Sequence, residues 1–191
     1  MDMNTILERI KTTLWIVPEK RFDEMVKDAN YTDSFIYLLI CMVLSIPVMM
    51  LGYIAIALSN KADIPGAVSA VALSLPAVFL IGIPLQYIGF GVEFVLLKIL
   101  GGKADFQKSV QVFVYSGTPS FIFGSLPYIG ILPSLLGLYN IVVGSARIHQ
   151  IPVWKAVIAI VVIPILLAVV IVFALAAILG PAAAGLAAAP G

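Results

Sequence analysis

Long runs without charge constrain this chain more than any other feature of its sequence. The stretch 34–59 carries no charged residue, and the stretch 67–100 carries only Glu93 and Lys98. A helix needs roughly 20 mostly apolar residues to cross a bilayer, and both runs exceed that length. Charged residues form 11% of the chain, whereas soluble domains carry about 25%. We therefore expect an all-α membrane protein whose spanning helices pack into a bundle.

Five transmembrane helices are predicted. The second run holds two prolines but no polar turn, so we expect one long helix there rather than two. The five spans are 34–59, 67–100, about 112–133, 133–148 and 154–180. They divide the chain into an N-terminal segment 1–33, a membrane domain 34–180 and an Ala/Gly/Pro-rich tail 181–191.

The third predicted span is unusual because Val114 to Pro133 holds three glycines and three prolines but no charge. In lipid, a broken helix leaves carbonyl groups without partners, at a cost of several kcal/mol each. Breakers are tolerated where neighbouring helices or hydroxyl groups satisfy the backbone. Four hydroxyl side chains are interleaved with the breakers, namely Ser116, Thr118, Ser120 and Ser125. We expect a tight, uncharged hairpin of two short helices held inside the protein.

The distribution of basic residues predicts an orientation. Of the 11 lysine and arginine residues, ten fall in the N-terminal segment and on alternate loops, whereas Lys61 alone falls on the other side. The positive-inside rule therefore places the N-terminus in the cytoplasm and the C-terminus outside. An odd number of spans also requires the termini to lie on opposite sides. We expect a multi-pass protein of the cell membrane.

The N-terminal segment has the pattern of amphipathic helices. Apolar residues recur at helical spacing at Met3, Ile6, Leu7, Ile10, Leu14 and Val17. We expect residues 3–17 to form a helix on the membrane surface with Trp15 at headgroup depth. A second short helix can begin at Pro18, since proline fits the first helical turn. Two uses stay open, because both helices can pack on the bundle or dock a protein partner.

Glycine, proline and aromatic positions recur in a definite order around the third and fourth spans. They are Gly101, Gly102, Phe106, Tyr115, Ser116, Pro119, Leu126, Pro127, Gly130, Gly144 and Arg147. This order and spacing resembles the core of the Yip domain family, multi-spanning membrane proteins named for interacting with Ypt/Rab GTPases. The N-terminal "ILERIKTTLWIVPEKRFDEM" is similar to prokaryotic members. The resemblance implies five spans, a cytoplasmic N-terminus and a non-enzymatic protein that binds partners or organises the membrane.

Two spans carry a stripe of small and polar residues on one helix face. The stripe of the second span is Gly82, Gln86, Gly89 and Glu93, and that of the fourth is Gly137, Asn140, Gly144 and Arg147. Small residues allow helices to approach closely, and amides form hydrogen bonds across the contact, so each stripe predicts a packing seam. The alternative is a channel or transporter with a polar path lined by Glu93, Gln86 and Asn140. A channel would need a homo-oligomer or a wet interior.

Glu93 and Arg147 are predicted to form an ion pair. Each is the only charge on its stripe, and each lies near the cytoplasmic end of its span. The two spans run in the same direction, so these ends can meet. A single charge left in a low-dielectric site costs several kcal/mol, which favours pairing.

Enzymatic, metal-binding and nucleic-acid-binding functions find little support in the sequence. Ser145 and His149 are four residues apart, but a serine nucleophile also needs an oriented base and an oxyanion hole. We expect no enzyme, no cofactor and no metal site, since Cys41 is the only cysteine and ligand residues do not cluster. A net charge of +1 excludes a broad basic face for nucleic acid. The expected partners are the lipid bilayer, a protein docked on residues 1–33, and a second copy of the chain.

Overall fold

The computed structural model describes residues 3–27, 30–60 and 63–187, and the chain is helical without a strand in these ranges. Residues 188–191 of the predicted tail lie outside the described residues, whereas 181–187 continue the last helix. The helices are α1 (Met3–Thr13), α2 (Glu19–Met25), α3 (Tyr31–Ser59), α4 (Ile64–Ala77), α5 (Ile83–Ile99), α6 (Phe106–Ser116), α7 (Thr118–Phe123), α8 (Ile131–His149), α9 (Val153–Val157) and α10 (Ile163–Ala187).

Four helical stretches in the described ranges are long and apolar enough to cross a membrane. They are Tyr31–Ser59, Ile64–Ile99, Ile131–His149 and Val153–Ala174. They confirm the all-α membrane bundle, and they match the first, second, fourth and fifth predicted spans. The third differs, because it is divided into α6 with 11 residues and α7 with 6. Five spans are therefore not confirmed.

Prolines are accommodated inside two of the long stretches by wider π turns. The turn Val78–Gly82 joins α4 to α5 just before Pro84, and the turn Ile158–Val162 joins α9 to α10 just before Pro164. A proline ring lacks an N–H and collides with the carbonyl four residues earlier. That carbonyl lies within the π turn in both cases, where the wider backbone makes room for the ring. The prediction of one continuous second helix is confirmed.

The broken segment α6–α7 forms the centre of the bundle. Every residue from Ser109 to Pro119 is buried, and the segment packs between α3 and α8. Pro119 has no N–H to offer the Tyr115 carbonyl, and the Thr118 hydroxyl donates to that carbonyl instead at 2.6 Å. The prediction that hydroxyl groups satisfy the broken backbone is confirmed for Thr118. It is wrong for Ser116, whose hydroxyl is buried without a partner.

The turn after α7 packs against α3 at a glycine. A side chain on Gly52 would bring its Cβ within 2.8 Å of the Pro127 ring, so only glycine admits this contact. Ser120 on α7 donates to the Ser134 carbonyl on α8 at 3.3 Å, across the hairpin. A hairpin of two helices is thus present, but it differs from the prediction because α8 has 19 residues and Tyr128 in the turn is exposed.

The N-terminal helices pack against the bundle with their apolar faces. Ile6, Ile10 and Phe22 are buried, and α1 and α2 contact α6 while α2 also contacts α8. The predicted helix 3–17 ends at Thr13. Ile6 and Ile10 pack on the bundle, which is one of the two uses left open, whereas Leu7 on the same helix is exposed, and its place on the membrane surface stays a prediction. Trp15 and Ile16, in the link after α1, point away from the bundle with 73% and 65% of their surface exposed.

Three contacts show which helix ends lie together. The rings of Tyr31 and Phe106 are 6.2 Å apart, and the Lys103 N–H donates to the His149 carbonyl at 3.0 Å. Lys155 Nζ donates to the Leu100 carbonyl at 3.0 Å. The start of α3, the end of α5, the start of α6, the end of α8 and the start of α9 therefore share one end of the bundle. We name it the basic end, after Lys98, Lys103, Lys108, Arg147 and Lys155.

Candidate functional site

The stripe on α8 is filled by other parts of the same chain. A side chain on Gly137 would collide with the Ser120 side chain of α7. A Cβ on Gly144 would lie 2.6 Å from the Phe22 ring of α2 and 2.8 Å from Val112 of α6. The predicted packing seam therefore exists on α8, where α2, α6 and α7 approach too closely for any larger residue.

Asn140 joins this seam to the N-terminal segment. Its side chain is fully buried, Nδ2 donates to the Trp15 carbonyl at 2.8 Å, and Oδ1 accepts from the Val17 N–H at 3.1 Å. The link between α1 and α2 has no helical partners for these two backbone groups. The amide supplies both, which is the pairing a buried polar group requires.

A second buried amide holds the segment that follows α2. Gln111 of α6 is 1% exposed, and its amide orientation is assigned from the surrounding network. In that orientation it donates to the Met25 carbonyl at 2.9 Å and accepts from the Asn30 N–H at 3.0 Å. Sequence reasoning missed this residue, although a single amide inside the apolar run of α6 is a signal that could have found it.

Arg147 pairs with Asp23 rather than with Glu93. Its Nη2 donates to Asp23 Oδ2 at 2.8 Å, and its Nε lies 3.2 Å from the same oxygen. Phe22 of α2 packs on Gly144, and Asp23 is the next residue of the same helix. The helical turn of α2 that fills the seam therefore also brings a carboxylate to Arg147. Both side chains are about half exposed, so the pair contributes modestly to stability.

The stripe on α5 has the same order of glycine, amide, glycine and charged residue but stays open. Gly82, Gln86, Gly89 and Glu93 line a groove of about 330 Å³ together with Leu85 and Phe90, and all six belong to the single helical stretch Ile64–Ile99. A Cβ on Gly89 would meet nothing within 4 Å, and one on Gly82 only Val78 of its own helix.

The polar side chains in this groove have no partner among the residues that the structure describes. Within the described ranges, no hydrogen bond or ion pair joins Gln86 or Glu93 to another residue. The three residues predicted to line a transport path do not meet, because Asn140 faces the N-terminal segment and does not line the groove.

A polar cluster lies where α1, α3 and the α6–α7 break meet. The Tyr37 hydroxyl is 3.2 Å from Thr13 Oγ1 and 2.9 Å from Thr118 Oγ1. Because Thr118 already donates to the Tyr115 carbonyl, Tyr37 donates to Thr118. Arg9 donates to the Tyr115 hydroxyl, and its guanidinium carbon lies 4.6 Å from the centre of that ring. These hydroxyl groups are satisfied within the chain, which makes the cluster a structural junction.

The sequence profile of the Yip1 domain matches residues 12–176. The chain belongs to the Yip1 domain family. The matched range of this Yip1-domain protein includes α2 to α9 and both stripes, and the family indicates a membrane-associated role. No curated protein and no solved structure matches the chain.

Two glycines of the Yip1 domain shape the end of α5. Gly101 has φ +97°, and its N–H donates to the Lys98 carbonyl while the Gly102 N–H donates to the Leu97 carbonyl. This is a Schellman cap, which favours glycine at the left-handed position. A Cβ on Gly102 would lie 2.8 Å from the Leu97 carbonyl oxygen and collide with the His149 ring.

His149 of the Yip1-domain protein lies at the end of α8. Its ring is buried against Gly102, and Nε2 lies 2.9 Å from Ser109 Oγ. Ser145, the residue with which a catalytic pair was considered, has a buried hydroxyl without any partner. Within the described ranges, no three His, Cys, Asp or Glu side chains converge to hold a metal.

Proposed function

We propose that this Yip1-domain protein is a non-enzymatic integral membrane protein that binds a transmembrane helix of another membrane protein through the open stripe of α5. The observation that carries the proposal is the contrast between the two stripes. Ser120 and Phe22 occupy the space above the glycines of α8, whereas no atom of the residues that the structure describes occupies the space above Gly89.

The depth of the groove strengthens the argument. At 1.5 Å per residue, Glu93 lies about 9 Å and Gln86 about 20 Å along the helix from Ile99. Both positions fall inside a hydrocarbon layer about 30 Å thick. A charged side chain at the centre of a spanning helix costs about 2.5–3.5 kcal/mol on insertion scales. A partner helix that offers hydroxyl or amide donors to Glu93 and Gln86 removes this cost, and Gly82 and Gly89 allow its backbone to approach.

The N-terminal segment is less suited to such a partner. The bundle covers Ile6, Ile10 and Phe22 on the apolar faces of α1 and α2, which leaves mainly their polar faces for contacts. The distribution of lysine and arginine supports a cytoplasmic N-terminus in the cell membrane. With that orientation Glu93 lies in the cytoplasmic half of the bilayer, whereas Gln86 lies beyond its centre.

Site-specific photocrosslinking in native membranes tests the proposal. Leu85 and Ile88 are a matched pair, because they lie within one turn of the same helix and are 63% and 62% exposed. Only Leu85 lines the groove. A photoreactive residue at position 85 should capture a partner at a residue inside one of its transmembrane segments, and one at position 88 should not. Gly89→Leu, which fills the groove, should abolish the product.

Two outcomes would overturn the proposal. Equal crosslinking from both positions would show contact without a specific groove. A crosslinked product made of two copies of this chain would show that the groove binds a second copy rather than a different protein. Ion flux through such an oligomer would favour a channel if the change Glu93→Gln abolished that flux.

A further inference from the structure

Three lysines at the basic end form no ion pair in the part of the chain that the structure describes. Between Phe94 and Gly191 the sequence holds four lysines and one arginine but only one acid, Asp105. Asp105 lies 3.7 Å from Lys108, and Arg147 is paired with Asp23. Within the described ranges, the remaining lysines, Lys98, Lys103 and Lys155, form no ion pair with a carboxylate.

Two of these lysines are held in place around one turn. Lys155 Nζ donates to the Leu100 carbonyl at 3.0 Å, and Lys98 Nζ lies 3.5 Å from the Lys103 carbonyl. Each contact satisfies one carbonyl near the end of α5, where a cation also complements the helix dipole. An ammonium group has three donors, so each lysine keeps two for another acceptor.

The turn lies where the headgroup layer of a bilayer is expected. Two of the four spanning stretches end here, one at Ile99 and the other at Val153. Ile99 and Trp154 are 72% and 59% exposed, and Trp154 is in contact with Lys155, whose Nζ is 5.8 Å from its ring centre. An exposed tryptophan between an apolar helix and a cation is typical of a membrane interface.

We propose that Lys98, Lys103 and Lys155 form a binding surface for the anionic phosphate headgroups of membrane lipids, with Trp154 against the bound lipid. Lipid phosphate is the acceptor that this surface fits, because the lysines have donors left over, form no ion pair with a carboxylate among the described residues, and border two spans. The surface lies at the end of the helix that carries the open stripe, but it does not depend on a protein partner.

Tryptophan quenching in vesicles tests this directly. The chain has two tryptophans, so Trp15→Phe leaves Trp154 as the only reporter. The full chain is reconstituted in mixed phosphatidylcholine and phosphatidylglycerol vesicles in which one lipid or the other is brominated. Brominated phosphatidylglycerol should bind beside Trp154 at least about fivefold more strongly than brominated phosphatidylcholine. A fivefold preference is about what one lysine near an anionic membrane surface provides.

Variants identify the charges responsible. Lys98→Gln combined with Lys155→Gln should remove the preference, whereas arginine at both positions should keep it. Lys11→Gln with Lys20→Gln, on the exposed faces of the N-terminal segment, is the matched control and should also keep it. In the unaltered lysine background, raising salt to about 1 M shortens the screening length to about 3 Å and should weaken the preference.

Three results would overturn the proposal. They are equal quenching by the two brominated lipids, a preference that survives the double glutamine change, and a preference abolished by inorganic phosphate at constant ionic strength. The last result would assign the lysines to a free phosphate instead of a lipid.

Discussion

Asn140 and Gln86 are each the second residue of their stripe but differ in what surrounds them. Asn140 is buried and makes two hydrogen bonds to the backbone of the link between α1 and α2. Gln86 lines an open groove and makes none within the described ranges. A buried backbone N–H or carbonyl that loses its partner costs about 1–3 kcal/mol. Removal of the Asn140 amide leaves two such groups without a partner, whereas removal of the Gln86 amide leaves none among the described residues.

Asn140→Ala should therefore lower the free energy of unfolding by about 2–4 kcal/mol, through two unsatisfied backbone groups and a small cavity. Gln86→Ala is the matched control, and in detergent it should leave the unfolding transition unchanged. Thermal unfolding followed by circular dichroism measures both. Equal transitions for the two variants would show that the seam does not hold the N-terminal segment.

The hydroxyl groups of the broken segment show what sequence reasoning can predict at this scale. Hydroxyl side chains alternate with glycine and proline in this segment, and that pattern was sufficient to predict that a hydroxyl group satisfies the broken backbone. Which hydroxyl does so depends on the position of Pro119, whose missing N–H leaves the Tyr115 carbonyl free for Thr118. The buried hydroxyl of Ser116 finds no acceptor, and we have no physical account of it.

At the scale of elements, α1 has an apolar face divided between protein and surroundings. Ile10 is 8% exposed and packs in the core, whereas Leu7 on the same helix is 47% exposed. Ile10→Glu should destabilise the fold by about 3 kcal/mol or more, since it buries an unpaired charge. Leu7→Glu should change the unfolding temperature in detergent by much less.

Limited proteolysis of the same two variants provides a second measurement. Undocking of α1 should expose the cleavage sites after its basic residues only in the Ile10→Glu protein. Equal protease resistance of the two proteins would contradict the packing of α1 on the bundle.

The two stripes show why element packing was harder to predict than element type. Both stripes satisfy the same pattern, and periodicity predicted each of them. The residues that fill the stripe of α8 lie far away in sequence, since Asn140 bonds Val17 at a separation of 123 residues and Arg147 pairs with Asp23 at 124. Helical periodicity contains no information on such distant contacts, so the Glu93 and Arg147 pair was inferred from position alone.

At the scale of the whole molecule, the helix ends alternate between the basic end and the opposite end. Ser59 lies at the end of α3, opposite the turn that contains Lys103, and both are exposed. With Cys41→Ser as background, Ser59→Cys should react with a membrane-impermeant maleimide in intact cells. Lys103→Cys should react only after permeabilisation, because the positive-inside rule places that end in the cytoplasm. Labelling in the reverse order would contradict the proposed orientation.

The number of spans is the feature of the whole molecule that the sequence left least certain. Four stretches were recognisable because they combine length with an apolar surface. The segment 106–123 also has a long apolar part without charge. That part is apolar because the other helices surround it, and not because it faces lipid. Hydropathy does not distinguish a helix in lipid from one buried in protein. The apolar character of the segment 106–123 therefore could not reveal that α6 and α7 are separate short helices.

The two hydrogen bonds between Asn140 and the link after α1 have a consequence for synthesis. Translation at roughly 5–20 residues per second delivers Asn140 about 6–25 s after Val17. The helices α1 and α2 leave the ribosome well before the parts of α6, α7 and α8 on which they pack, so both can dock only late in synthesis. The amphipathic pattern of α1 suits this wait, because the nascent helix can rest on the membrane surface until α8 has been inserted.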